Sequence, residues 1–299
     1  MIIYCVESER DMFYLKQFCC LLKAKRKLLI LLLYYALIVA CIFFYYHKEY
    51  GAIDVKELEV IKNDPVLGLN FFYTLQQPGM TLIKFLLTCL LIPNIISADF
   101  LVLKHNHFTD FIKTRISTKS YFQAAKFINF ISTFLITLLM HLVTLLVIHL
   151  FFFKITFHQV NIPVESILNM FSSNILMNLM IYILLSSLGF AVFSHFVYAL
   201  QAFIKNTYLY RTMGLMSALI LYTGSFLLVK LAFDLHLGIV VRIILYMTCI
   251  PNILVPGMEE SVYIGQYRLV HYLGTLVLYL IVSNILFTLR ERWEYASGR

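Results

Sequence analysis

Long apolar runs alternate with short polar connections along this chain. Runs of this kind occupy about 28–46, 80–103, 127–153, 167–200, 213–233 and 269–289. A helix crosses the hydrocarbon core of a bilayer with about 20 residues. Backbone groups in lipid must find their hydrogen-bond partners within the segment, so spans of this length are helices. No short, alternating strands suggest a barrel. The pattern therefore predicts an all-α polytopic membrane protein with about six transmembrane helices. The run at 167–200 exceeds what a bilayer needs and predicts a tilted or projecting helix.

The connections differ in character. Residues 9–27 interleave Met12, Phe13, Leu15, Phe18, Leu21 and Leu22 with Arg10, Asp11, Lys16, Gln17 and Lys23. That mixture suits an N-terminal interfacial helix on the cytoplasmic face. It divides the chain into a leader, 1–27, and a transmembrane domain, 28–299. The connection 47–79 is acidic at first; its apolar, aromatic second half, 67–75, is expected on the outer interface. Pro78–Gly79 ends it as a turn. In the second span, Pro93 predicts a kink, and Lys84 is placed near the outer end, where its amine can snorkel to water. The stretch 237–258 is apolar but carries Arg242, Pro251 and Pro256. It reads as an outer re-entrant or interfacial segment before the last span, because a seventh span would put the basic tail outside.

Charged residues make up only 13% of the chain against 61% hydrophobic ones, too few to coat a soluble globule of 299 residues. The net charge of +8 does not indicate nucleic acid, since the basic residues lie in short connections between spans. Two thirds of them cluster in 10–27, 104–126, 205–211 and 290–299. Positive residues favour the cytoplasmic side, which places both termini inside. Six cysteines without CxxC spacing support neither a disulfide framework nor zinc. The leader is too charged and long for a signal peptide, so the first run is expected to stay as a span. The bias towards Phe, Tyr, Ile, Leu, Lys and Asn fits an AT-rich bacterial genome.

Sequence motifs for chemistry are sparse. No glycine precedes a lysine, so there is no phosphate-binding P-loop, and neither HExxH nor GxSxG occurs. Glu259–Glu260 matches the opening of intramembrane prenyl-protease-like enzymes, but Ile264 stands where that family has arginine. His105, His107 and Asp110 lack a fourth metal ligand. His141 and His149 lie within a span, where a histidine either serves function or hydrogen-bonds a neighbouring helix.

The most informative constellation is 97–126. Phe108, Phe111 and Ile112 recur at helical spacing between Lys104 and Lys113, so the segment is amphipathic. Asp99 precedes it, and Thr114, Arg115, Ser117, Lys119, Tyr121 and Lys126 follow. This run resembles the cytoplasmic loop of permease subunits of type-2 ATP-binding-cassette exporters, in which an acidic residue, a coupling helix and a T-R-x-S-[KR]-x-x-Y-x-x-x-K-like sequence join spans two and three. Asp99 stands where Glu is usual, and the glycine common after it is absent. The S-S-L-G-F at 186–190 is a fainter match. The resemblance implies a bacterial cytoplasmic-membrane permease that works as a dimer with a second permease copy or homologue and with separate ABC ATPase subunits. ATP and magnesium would be held by those ATPases, and this chain would carry no cofactor or catalytic residue. Asp99, Phe108, Phe111, Ile112, Lys113, Thr114, Arg115 and Tyr121 would form the ATPase-coupling surface, with Lys84 in a possible pathway. Membrane lipids are further partners. The expected cargo is a peptide, lipid-like molecule or drug, and self-protection against an antimicrobial peptide is a role the resemblance suggests. Two alternatives stand beside this reading: the intramembrane enzyme and a non-transporting scaffold or sensor.

Overall fold

The computed structural model describes residues 25–54, 61, 64, 66–79, 81–105, 118–157, 167–257 and 268–296. Among these residues every regular element is helical. In chain order they are α1 (Lys25–Tyr50), α2 (Leu67–Thr74), α3 (Leu82–His105), α4 (Thr118–Phe151), α5 (Ile175–Gln201), α6 (Thr207–Asp234), α7 (Ile239–Tyr246), α8 (Pro251–Leu254) and α9 (Arg268–Ala296). A single 3-10 turn, Ile167–Asn169, precedes α5. Among the described residues, five helical stretches are long and apolar enough to cross a membrane: Lys27–Tyr50, Gln123–Phe151, Ile175–Gln201, Thr207–Asp234 and Arg268–Trp293. The chain is an all-α, multi-pass membrane protein. The apolar part described for α3, Leu82–Ile95, is shorter.

Helix α5 is the axis of the bundle. It is buried over most of its length, whereas the other four long apolar helices are buried over a third or less. It packs against α4, α9, α8, α6 and α3. The outward faces of the other helices are leucine-rich, for example Leu29, Leu32, Leu33, Leu146, Leu150, Leu227 and Ile281. Such residues belong in lipid, where exposing them to solvent is not at issue.

The expected long span at 167–200 is not formed. Helix α5 begins at Ile175, because the Asn174 side chain accepts a hydrogen bond from the Met177 amide and caps it. The polar run Ser172–Ser173–Asn174 is a helix-start signal of the ordinary kind. Asn206 starts α6 in the same way, accepting from Tyr208 and Leu209.

Pro93 lies inside α3. Proline has no amide hydrogen to donate to the carbonyl one turn earlier, here that of Cys89. The missing side chain of Gly214 lets α6 come against that carbonyl. The Asn94 side-chain amide, meanwhile, donates to the carbonyls of Leu90 and Arg211.

Two short segments complete the interior. Helix α2 is not an interfacial helix: Gly68, Leu69, Phe71, Phe72 and Tyr73 are all buried. Phe71 stands among Tyr45, Tyr46, Tyr50, Phe152 and Phe153, where the C-terminal ends of α1 and α4 converge. The stretch expected to be re-entrant forms α7 and α8, of eight and four residues. At 1.5 Å per residue neither can cross a bilayer. Pro251 opens α8, and residues 249–256 are buried. Arg242 stays at the start of this stretch, donating to the Leu237 carbonyl, with its guanidinium over the Phe233 ring.

Candidate functional site

Lys84 sits on the first turn of α3 and is only 4% exposed. It does not snorkel outward. Its Nζ donates to the Leu75 carbonyl at 2.9 Å and to Gln76 Oε1 at 2.7 Å. Both acceptors belong to the end of the α2 segment, so the amine ties that segment to α3. Thr81 Oγ1 adds a bond to the same Leu75 carbonyl at 2.8 Å. One turn further along, Thr88 donates to the Lys84 carbonyl, and its Oγ1 lies 3.3 Å from the hydroxyl of Tyr34 on α1. That hydroxyl donates to Met140 Sδ on α4.

A second polar group binds α8. His141 Nε2 is 3.1 Å from Ser186 Oγ, and Ser186 donates to the Leu254 carbonyl at 2.7 Å. Asn252 donates to the Tyr246 carbonyl and to Thr275 Oγ1 on α9. Asn178 on α5 holds α2, donating to the Tyr73 hydroxyl and accepting from the Phe171 amide. Burial pushes the Tyr73 phenol well above its ordinary pKa, only partly offset by that amide, so it stays neutral.

These contacts bring α2 and α8 together. Leu75 and Gln76 from one, and Leu254 and Val255 from the other, border a small cavity of ≈ 20 Å³ that Lys84 also lines. A space of that size holds about one water. It does not hold a peptide or a drug in this conformation.

Helix α4 contributes a feature that the sequence reading did not single out. Asn129, Thr133, Thr137, His141 and Thr144 are each 0% exposed and recur every three to four residues. They form one polar stripe, part of which bonds α5 through Asn129–Ser194 and His141–Ser186. Polar groups between membrane helices hold those helices together. The four-residue spacing was the available signal. His149, by contrast, accepts from the Ile155 amide just past the end of α4.

Of the predicted coupling residues, Asp99 lies toward the far end of α3. From Lys84 to Asp99 is fifteen residues, about 22 Å along a helix. The backbone of Asp99 is in α3 and that of Tyr121 in the first turn of α4. Their side chains, and Phe108, Phe111, Ile112, Lys113, Thr114 and Arg115, lie outside the described residues. So do residues 1–24 of the leader 1–27, His107, Asp110 and Glu259–Glu260. Near this end of the bundle Lys126 pairs with Glu291 at 3.4 Å and lies over the Phe287 ring, tying α4 to α9. No cluster of three metal-capable side chains occurs among the described residues.

No protein-family model, curated protein or solved structure matches this chain.

Proposed function

We propose that this chain is the permease subunit of an ATP-driven type-2 ABC exporter. It works in the bacterial cytoplasmic membrane as a dimer of permeases with two separate ATPase chains. The observation that carries the reading is the amphipathic, basic run 97–126, from Asp99 through Phe108, Phe111 and Ile112 to Arg115 and Tyr121. It lies where α3 ends and α4 begins, so force applied to the connection reaches two long helices at once. In this reading α3 also spans, which makes six spans in all: its 24 residues extend about 36 Å, enough for a hydrocarbon core of roughly 30 Å. Both termini are cytoplasmic, as the positive charges favour, and α2 and α7–α8 enter from the outer side. The cargo is a peptide, lipid-like molecule or drug.

The reading requires a partner for hydrolysis, because the chain has no P-loop. The test is co-expression with a candidate ABC ATPase, followed by affinity purification of this chain. Retention of the ATPase, and nucleotide turnover by the complex but not by this chain alone, is the expected result. Turnover by the isolated chain, or purification without any ATPase, would leave the enzyme or scaffold reading in its place.

A further inference from the structure

We infer that Pro93 of α3 and Gly214 of α6 form a paired hinge, about which residues 94–105 of α3 and 207–213 of α6 swing as one arm. Proline at 93 cannot donate to the Cys89 carbonyl, and a gap of that kind in the ladder is where a helix bends most readily. Gly214 meets α3 at the same level: a β-carbon there would overlap the Cys89 carbonyl and press on the Pro93 ring. Glycine is also held to helical geometry less firmly than residues with a side chain. The weak points of two neighbouring helices therefore face each other.

The two halves of α3 are held by different partners. Before the hinge, Lys84 bonds the Leu75 carbonyl and Gln76, Thr88 meets the Tyr34 hydroxyl of α1, and the Phe85 ring lies 5.8 Å from that of Tyr222. Beyond it, polar bonds lock α3 to the start of α6. The Asn94 side-chain amide donates to the Arg211 carbonyl, and the Tyr210 hydroxyl donates to the Ser97 carbonyl at 3.0 Å. Gln201 of α5 donates to the Tyr210 carbonyl at 2.8 Å, a tether one turn from Gly214, where a swing moves it least. The apolar interior divides at the same level. Cys89 and Ile92 belong to the main core, whereas Ile95 packs in a separate cluster with Ala125, Ile128, Tyr198, Ala199 and Phe287. The arm ends at His105, where the α3–α4 connection begins. In the exporter reading, on which only the driving force rests, motion of that connection swings the arm, and Asn94 and Tyr210 are positioning residues that pass it to α6. A change of about 20° at the hinge, acting over twelve residues or roughly 18 Å, moves the end of α3 by about 6 Å.

The test uses the full chain in nanodiscs, with pairs of nitroxide labels on cysteines introduced in a background without reactive native ones. Labels at 105 and 293 measure the arm against the end of α9, labels at 105 and 208 lie within the arm, and labels at 83 and 269 report the opposite end of the bundle. Electron paramagnetic resonance should show the 105–293 distance spread or split by about 6 Å, and the other two narrow. Pro93→Ala should narrow the 105–293 distribution. Asn94→Ala with Tyr210→Phe should broaden 105–208 and leave 83–269 unchanged, whereas bonds that only stabilise would lower the unfolding midpoint and keep 105–208 narrow. Adding an ABC ATPase with ATP and magnesium tests the driving force separately: a spread 105–293 distance that they do not shift supports the hinge and counts against the exporter reading. A narrow 105–293 distribution in the parent chain, which needs no variant, an unchanged spread in Pro93→Ala, or a narrow 105–208 distribution in the double variant would each overturn the paired hinge.

Discussion

Gly189 of α5 lies directly against the backbone carbonyl of Ile253 in α8, so closely that a β-carbon there would overlap the carbonyl group. The obstacle is backbone, which cannot swing aside as a side chain does. Ser186 stands one turn earlier on the same helix and donates to the next carbonyl, that of Leu254. The S-S-L-G-F run thus combines a close approach with a polar tether, and together they seat the short helix in the bundle.

Gly189→Ala should unseat α8. Overpacking a filled interior costs about 1–3 kcal/mol, and the loss should appear as a lower unfolding midpoint and faster proteolysis near Ile253. Gly224→Ala is the matched control, since its β-carbon would meet nothing within 4 Å. It should be neutral or stabilising by up to about 1 kcal/mol, because alanine orders more readily in a helix. Equal effects of the two substitutions would remove the steric account.

The helices themselves were legible because a span is long, apolar and bounded by charge. Pro251 was readable as a break and opens a new helix, whereas Pro93 stays inside the continuous α3. The fate of Lys84 was not readable, since it depends on where Leu75 and Gln76 travel. The α2 sequence, Leu-Gly-Leu-Asn-Phe-Phe-Tyr-Thr, has the composition of an interfacial aromatic segment and equally that of a buried one. Periodicity cannot separate lipid-headgroup burial from protein burial. The Asn174 cap was written in the sequence, but the run 167–200 looked continuous on hydropathy alone. The 97–126 reading rests on sequence pattern, and its side chains carry the test of function.

His141 and Ser186 should be energetically coupled. Ser186→Ala leaves both the Leu254 carbonyl and the imidazole without that hydroxyl. Hydrogen bonds between membrane helices average about 0.6 kcal/mol and reach roughly 1.7. A double-mutant cycle of Ser186→Ala with His141→Phe should return a coupling in that range. A coupling of zero would mean that the His141–Ser186 contact adds nothing to the α4–α5 seam.

Topology follows from the charge distribution. In a background without reactive native cysteines, a cysteine at 47–54 should react with an impermeant maleimide added outside intact cells. Cysteines at 205 or 292 should react only after permeabilisation. Outside labelling at 292 would place the C-terminal end of α9 outside and invert the reading of α7–α8.

The connection between α3 and α4 should behave as the mechanical link. Phe108, Phe111 and Ile112 fall three and four residues apart and so share one face if helical. Next to water such a face has no use, whereas a cleft on an ATPase would bury it at roughly 25 cal/mol per Å². Lys113 and Arg115 beside it can pair with acidic groups on the rim of that cleft. Truncating an aromatic anchor at a packed interface costs about 2 kcal/mol or more, and each 1.4 kcal/mol is a factor of about ten. Phe108→Ala with Phe111→Ala should therefore weaken ATPase association on the order of thirtyfold. Insertion and the unfolding midpoint should stay unchanged, because the substitutions lie between the helices. Lys113→Gln with Arg115→Gln should instead make association less sensitive to salt, since rim charges act mainly on encounter. ATPase binding at wild-type strength in the aromatic double variant would reduce this connection to a charged anchor that sets topology and transmits nothing.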